Sequence, residues 1–343
     1  MIYKNNNMAR KWATTLLILL ATCQIHSQGE KEFRFVDTTI QNYSYALMMA
    51  NLDSLAKHYP HCLKYEQGDS TYQGRPIPVV QFGDSLANKF VMIQSTIHAR
   101  EFMATQLTMA MLEYYTSNYE TEMFNGKKLI ELFKGIRFII LPMVNPDGVE
   151  ISQNGIDGAV TDDVKEWLSK YKEAGTELTQ IKANALGVDI NRNFRNGFGK
   201  AKYAKDTKDL HHYMGAQPYS EVESRLLLKV SQWHQYSCFL NYHTSGNLIF
   251  YGCMNARKEV NEKARNIAAR IKKFTGYPCF GPKSAKPSGT WADEVEIIYK
   301  RPSVTIELGT KNPVPIEEFK SIYKKNINVW AAIAELIQNK VLN

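Results

Sequence analysis

Four short stretches of this chain hold residue types able to do chemistry together. The first is His98-Ala99-Arg100-Glu101. A histidine and a glutamate three apart, at a strand-to-helix corner, can bring a nitrogen and an oxygen donor to one point, a set that suits Zn²⁺. Taken alone, such a pair is more often a surface contact and a helix-dipole partner. A catalytic zinc takes a third protein ligand and leaves a position for water. His243, ending the apolar run Phe239-Leu240-Asn241-Tyr242, is the best candidate; His58, His61, His211, His212 and His234 are its rivals. The third stretch is Ser303-Val304-Thr305-Ile306-Glu307-Leu308-Gly309. A carboxylate inside so apolar a run is costly unless it has a partner or a task, and zinc hydrolysis needs a general base. The fourth is Gly187-Val188-Asp189-Ile190-Asn191-Arg192-Asn193-Phe194. Arg192 can fork onto a carboxylate and Asn191 can add a donor. Asp189 can receive the second ring proton of a liganding histidine.

These residues need a scaffold. Short β-branched runs alternate with longer amphipathic ones, the pattern of an α/β fold. The pattern predicts strands at 63–67, 77–82, 90–96, 136–144, 238–243, 248–251 and 303–308. It predicts helices at 43–58, 99–117, 163–171, 220–236, 256–275 and 316–341. Asn145-Pro146-Asp147-Gly148 reads as a turn, and Ser220 with Glu223 as a capping box. His98 and His243 both fall beyond strand ends, where open α/β sheets gather their sites.

The start of the chain reads as a leader. Lys4, Arg10 and Lys11 precede a short apolar run from Trp12 to Ala21, which is too short to span a bilayer comfortably. Residues 1–27 are expected to be a signal peptide, leaving 28–343 as one catalytic domain exported to the periplasm or outside the cell, with no membrane span. Thr22 before Cys23 argues against a lipoprotein anchor. The short stretch between Gln28 and the first strand leaves no room for a long inhibitory pro-domain. Loss of the leader lowers the net charge from +8 to about +5, and no Lys/Arg run is interleaved with aromatics, so no nucleic-acid partner is expected. Cys62, Cys238, Cys253 and Cys279 remain; in an exported chain Cys238 and Cys253 are positioned to pair across a predicted hairpin.

The ordered set His-x-x-Glu, Asn-Pro-Asp-Gly, Gly-Val-Asp-x-Asn-Arg-Asn-Phe, a strand-end His and a late Thr-Ile-Glu resembles the zinc metallocarboxypeptidases, from about Leu63 to the C-terminus. The resemblance implies a single domain with a mixed eight-stranded sheet between helices. It also implies one zinc on His98, Glu101 and His243, Glu307 as base, Asn191 and Arg192 on the substrate carboxylate, and Asp189 behind His98. The family's electrophilic arginine maps to Lys182, a point charge without a fork. Its flexible tyrosine falls near Ala285, so no tyrosine is nominated. Lys182-Ala183-Asn184, His243-Thr244-Ser245-Gly246 and the 301–309 stretch are similar to the bacterial γ-D-glutamyl-diamino-acid peptidases, which implies a muropeptide substrate; the chain is expected to be a monomer. Open alternatives are a carboxypeptidase acting on protein C-termini and a peptide-binding module that keeps a zinc pocket.

Overall fold

The computed structural model describes residues 33–282 and 286–342. The expected leader, its cleavage site, Cys23 and the Ala285 position lie outside the described residues. The elements below belong to one compact unit, Phe35–Asn343. The main sheet comprises β1 (Leu63–Ser70), β2 (Pro76–Gly83), β3 (Lys89–Ser95), β4 (Ile136–Leu141), β5 (Tyr236–Thr244), β6 (Leu248–Tyr251), β7 (Cys279–Phe280) and β8 (Ser303–Leu308). Their spatial order is β1-β2-β4-β3-β5-β8-β6-β7. The β4-β3-β5-β8 centre is parallel; β1, β2 and β6 join antiparallel. This is the mixed eight-stranded sheet that the resemblance implies.

The longer helices are α1 (Tyr45–His58), α2 (Met103–Ser117), α3 (Pro146–Asn154), α4 (Asp162–Glu173), α5 (Val222–Ser231), α6 (Lys258–Thr275), α7 (Trp291–Ile297), α8 (Phe319–Asn326) and α9 (Val329–Gln338). Neighbouring residues of a strand feed opposite faces. Ile139 joins Met92, Phe239, Leu226 and Trp291 in one core, under α5 and α7. Phe138 joins Phe82, Tyr115 and Trp330 in the other, under α2 and α9. Every residue of β5 is buried, as expected of a central parallel strand covered on both faces.

Several expectations are corrected. The long C-terminal helix is broken at Ile327-Asn328: the Tyr115 hydroxyl donates to Ile327 O and accepts the Ala331 N–H at 3.1 Å, so it caps both sides of the break. Asn145-Pro146-Asp147-Gly148 starts a helix instead of a turn; Asn145 caps it by accepting from Gly148 N at 3.0 Å, with Pro146 at the first position. Ser220 and Glu223 form no capping box, because the Ser220 hydroxyl is spent on Glu221 at 2.7 Å and Glu223 turns inward. The four described cysteines are free. Cys238 and Cys253 cannot pair across a hairpin, because β8 lies between β5 and β6. No helix among the described residues is long and apolar enough to cross a membrane.

Candidate active site

The carboxyl ends of β3, β5 and β8 open on one edge of the sheet. β3 stops at Ser95, and the chain turns through Thr96, whose φ is +56°. The next backbone donors are then taken up away from the coming helix. Ala99 N donates to Lys182 O at 3.1 Å and Arg100 N to Ile181 O at 3.0 Å. The Asn145 amide adds bonds to Ile97 O at 3.3 Å and Ala183 O at 3.2 Å. These bonds fix 98–101 as a corner, so α2 begins at Met103 and not at the predicted Ala99. Glu101 therefore reaches the site from the corner and not from a first helical turn.

At this corner the three expected metal donors meet. Glu101 Oε1 lies 2.8 Å from His98 Nδ1, and its Oε2 lies 2.9 Å from His243 Nδ1 and accepts the Thr244 N–H at 3.2 Å. One donor atom from each residue fits within 4.8 Å of the others, and all three residues are buried. Two imidazole nitrogens and one carboxylate oxygen are the mixed set that open zinc sites use. Behind them, Asp189 Oδ1 stands 3.3 Å from the other ring nitrogen of His98, the support a metal-bound imidazole requires. The residues present therefore fit a zinc ion. Burial raises the Glu101 carboxyl, but His98 and His243 overrule it and hold it well below the usual range.

Glu307 arrives by strand register. β5 and β8 run parallel with Glu307 opposite His243 and Leu308 opposite Thr244, so carboxylate and imidazole leave the sheet side by side. Burial pushes Glu307 up to about 7, against the pull of His243. That is the range a base needs to work near neutrality. Lys182 is half-buried, and its charge reaches Glu307, His98 and Asp189.

Asn191 and Arg192 sit on the short turn after Asp189. Asn191 Oδ1 accepts the Trp291 N–H at 2.9 Å, which leaves its amide nitrogen for an outside acceptor. Arg192 Nη1 donates to Asn191 O at 2.6 Å, while its Nε is buried without a hydrogen-bond partner among the described residues. Gly289, at φ +78°, lies where a Cβ would meet Arg192 O at 2.7 Å, so only glycine lets the segment before α7 pack this closely on the turn.

Four of the five rival histidines are occupied elsewhere, and His212 lies 3.8 Å from Asp189 Oδ2 behind the three expected donors. His58 packs on Phe35, His61 near Tyr119, and His234 stacks on Phe90 at 3.6 Å. His211 Nε2 lies 2.6 Å from Gln180 O. Sequence reasoning missed Arg100, whose Nη1 donates to Gln180 Oε1 at 3.1 Å and whose charge reaches Glu307 and Asp189. It also missed the Trp291 N–H that orients Asn191. Arg100 sits inside the quoted His-x-x-Glu motif and carried a signal; a backbone N–H a hundred residues away carried none.

The zinc carboxypeptidase family matches residues 48–326. The gamma-D-glutamyl-L-diamino acid endopeptidase 1 of Lysinibacillus sphaericus is 26% identical over 296 residues, spanning 85% of this chain and 72% of that protein. Carboxypeptidase B of Astacus astacus is 28% identical over 214 residues, 61% of this chain and 63% of that one. The carboxypeptidase A structure from Helicoverpa armigera superposes with a TM-score of 0.62 at 20% identity, covering 96% of this chain and 80% of that one. The chain belongs to the zinc carboxypeptidase family, and it is a zinc metallopeptidase.

Proposed function

We propose that this enzyme cleaves the bond between D-glutamate and the diamino acid of peptidoglycan stem peptides, next to a free carboxylate. The observation that carries the reading is the pairing of Glu307 with His243 across β5 and β8, with the Asn191-Arg192 turn in the same charge field. A base and a carboxylate-holding cation then flank one metal corner. The substrate class is supported by the Lysinibacillus sphaericus relative, whose name gives a gamma-D-glutamyl-diamino acid bond, and by the Lys182-Ala183-Asn184 and His243-Thr244-Ser245-Gly246 stretches.

His98, Glu101 and His243 would hold the zinc, with Asp189 fixing the His98 ring. When bound, zinc supplies a more acidic water and a Lewis acid for the scissile carbonyl. Glu307 takes a proton from the attacking water and returns it to the leaving nitrogen. Lys182 stabilises charge that develops on the carbonyl oxygen. Arg192 and Asn191 grip a carboxylate that is charged before and during the reaction. The leader of residues 1–27 would carry the enzyme out of the cytoplasm to this substrate.

The test is mass spectrometry of purified muropeptides incubated with the zinc-loaded enzyme, beside a blocked dipeptide ending in an ordinary amino acid. Release of the diamino acid portion is expected. Turnover of the dipeptide alone would sink the peptidoglycan assignment and favour a general carboxypeptidase. Amidating the diamino-acid carboxylate should weaken binding; unchanged kinetics would remove Arg192 from the clamp and favour endopeptidase action.

A further inference from the structure

Asp189 is wholly buried, yet only one of its oxygens is provided for. Oδ1 accepts the Asn191 N–H at 3.1 Å and faces His98. Oδ2 is buried with no hydrogen-bond partner among the described residues. An orphaned buried acceptor is destabilising, and this one stands on the residue that backs the expected metal ligand His98. Nδ1 of His212 stands 3.8 Å from this oxygen. At that distance the attraction is electrostatic and not a hydrogen bond. The ring is 29% exposed, so it has room to turn and close the gap.

The backbone holds the ring at this spot. His212 has a φ of +68°, a left-handed conformation that a non-glycine residue enters at a cost and that gathers at functional sites. Leu210 O accepts from Lys182 N at 2.9 Å and Ala183 N at 3.1 Å, and Tyr213 O accepts from Asp189 N at 2.7 Å. His212 is thus pinned on both sides to the segment that carries Lys182 and Asp189. The charges around its ring are Asp189, Lys182, Arg192 and His211, of which Asp189 alone is an anion.

We propose that His212 is a positioning residue of the metal site, donating to Asp189 Oδ2 so that Oδ1 stays on His98 Nε2 and His98 keeps Nδ1 toward the metal. The inference rests on the assignment of His98 as a zinc ligand.

Zinc affinity of the purified full chain, measured by competition with a chromophoric chelator, tests it without recourse to turnover. His212→Ala should weaken zinc roughly 3- to 10-fold, less than the 10- to 100-fold typical of a direct supporting partner, with an unchanged circular dichroism spectrum. His212→Gln, which keeps a donor, should recover most of the loss. In an Asp189→Ala background His212→Ala should cost nothing more. Wild-type affinity in His212→Ala overturns the proposal, as does an equal loss in the Asp189→Ala background. A raised KM at unchanged zinc affinity also overturns it, since the ring would then be a substrate contact at the rim. A His98→Ala chain that binds zinc like wild type overturns the zinc assignment itself.

Discussion

Glu101 and Glu223 are buried alike, 1% and 2% exposed, and their carboxyls move in opposite directions. Glu101 is embraced by His98 and His243 and is held ionised. Glu223 has no such partner. Burial pushes it up to about 8, the neighbouring Glu221 adds repulsion, and the Asn184 amide that serves both glutamates is 2.7 Å from Glu221 but 3.4 Å from Glu223. Burial raises any carboxyl; what surrounds it decides whether it titrates as a ligand or as a neutral strut. The Glu223 cluster nonetheless serves the site, because Asn184 Oδ1 also accepts from Leu186 N and Val188 N and so shapes the loop between Lys182 and Asp189.

The contrast can be broken first where it is strongest. His243→Ala removes one of the two rings that hold Glu101 and one metal donor. Metal analysis should find zinc lost and activity abolished, while unchanged stoichiometry would remove His243 from the site. Glu307→Gln keeps shape and hydrogen bonds but not basicity. Zinc should be retained and turnover should fall by ~10²–10⁴-fold; near wild-type turnover would end its assignment as base.

Lys182 and Arg192 sharpen the picture from the cationic side. Negative charge grows on the carbonyl oxygen only during attack, so Lys182→Ala should lower kcat by up to ~10²-fold with little change in KM. Arg192→Ala should mainly raise KM, by roughly 10- to 100-fold, the worth of a charged hydrogen bond. Steady-state kinetics on a stem peptide with a free diamino-acid carboxylate separates the two, and the reverse pattern would exchange their roles.

The smallest expected effect belongs to Glu223. Its carboxyl is raised in the folded state, so the stability it lends is full below the ordinary value of 4.5 and is lost as pH rises toward 8. Glu223→Gln mimics the neutral form at every pH. It should match wild type near pH 4.5 and melt about 1–4 °C higher at pH 8. A variant that melts lower at pH 8 would mean that the ionised form is the one the fold prefers.

Much of the site was readable because its chemistry lies in short, local motifs. His98, Glu101, Asp189 and Arg192 stand within two brief stretches, and a glutamate amid Val304, Ile306 and Leu308 announces itself. The eight-stranded topology came from the resemblance, since strand order is not written in any local pattern. Two element ends were misread because a tertiary bond overrode a local preference. Main-chain bonds to residues 181 and 182 delayed α2, and the Tyr115 hydroxyl split the last helix. The edge strand β7 and the helix α7 were overlooked because they are short. α7 does carry a capping box of Thr290 and Asp293 that the sequence offered.

The parallel pairing of β5 and β8 also has a consequence for how the enzyme is made. Parallel partners need a long crossover, and the chain between them includes β6, α6, β7 and α7. A nascent chain that has emerged as far as α6 already contains His98, Glu101 and His243 but lacks Glu307. On the roles proposed above, the residue assigned as proton acceptor is the last of these four to leave the ribosome.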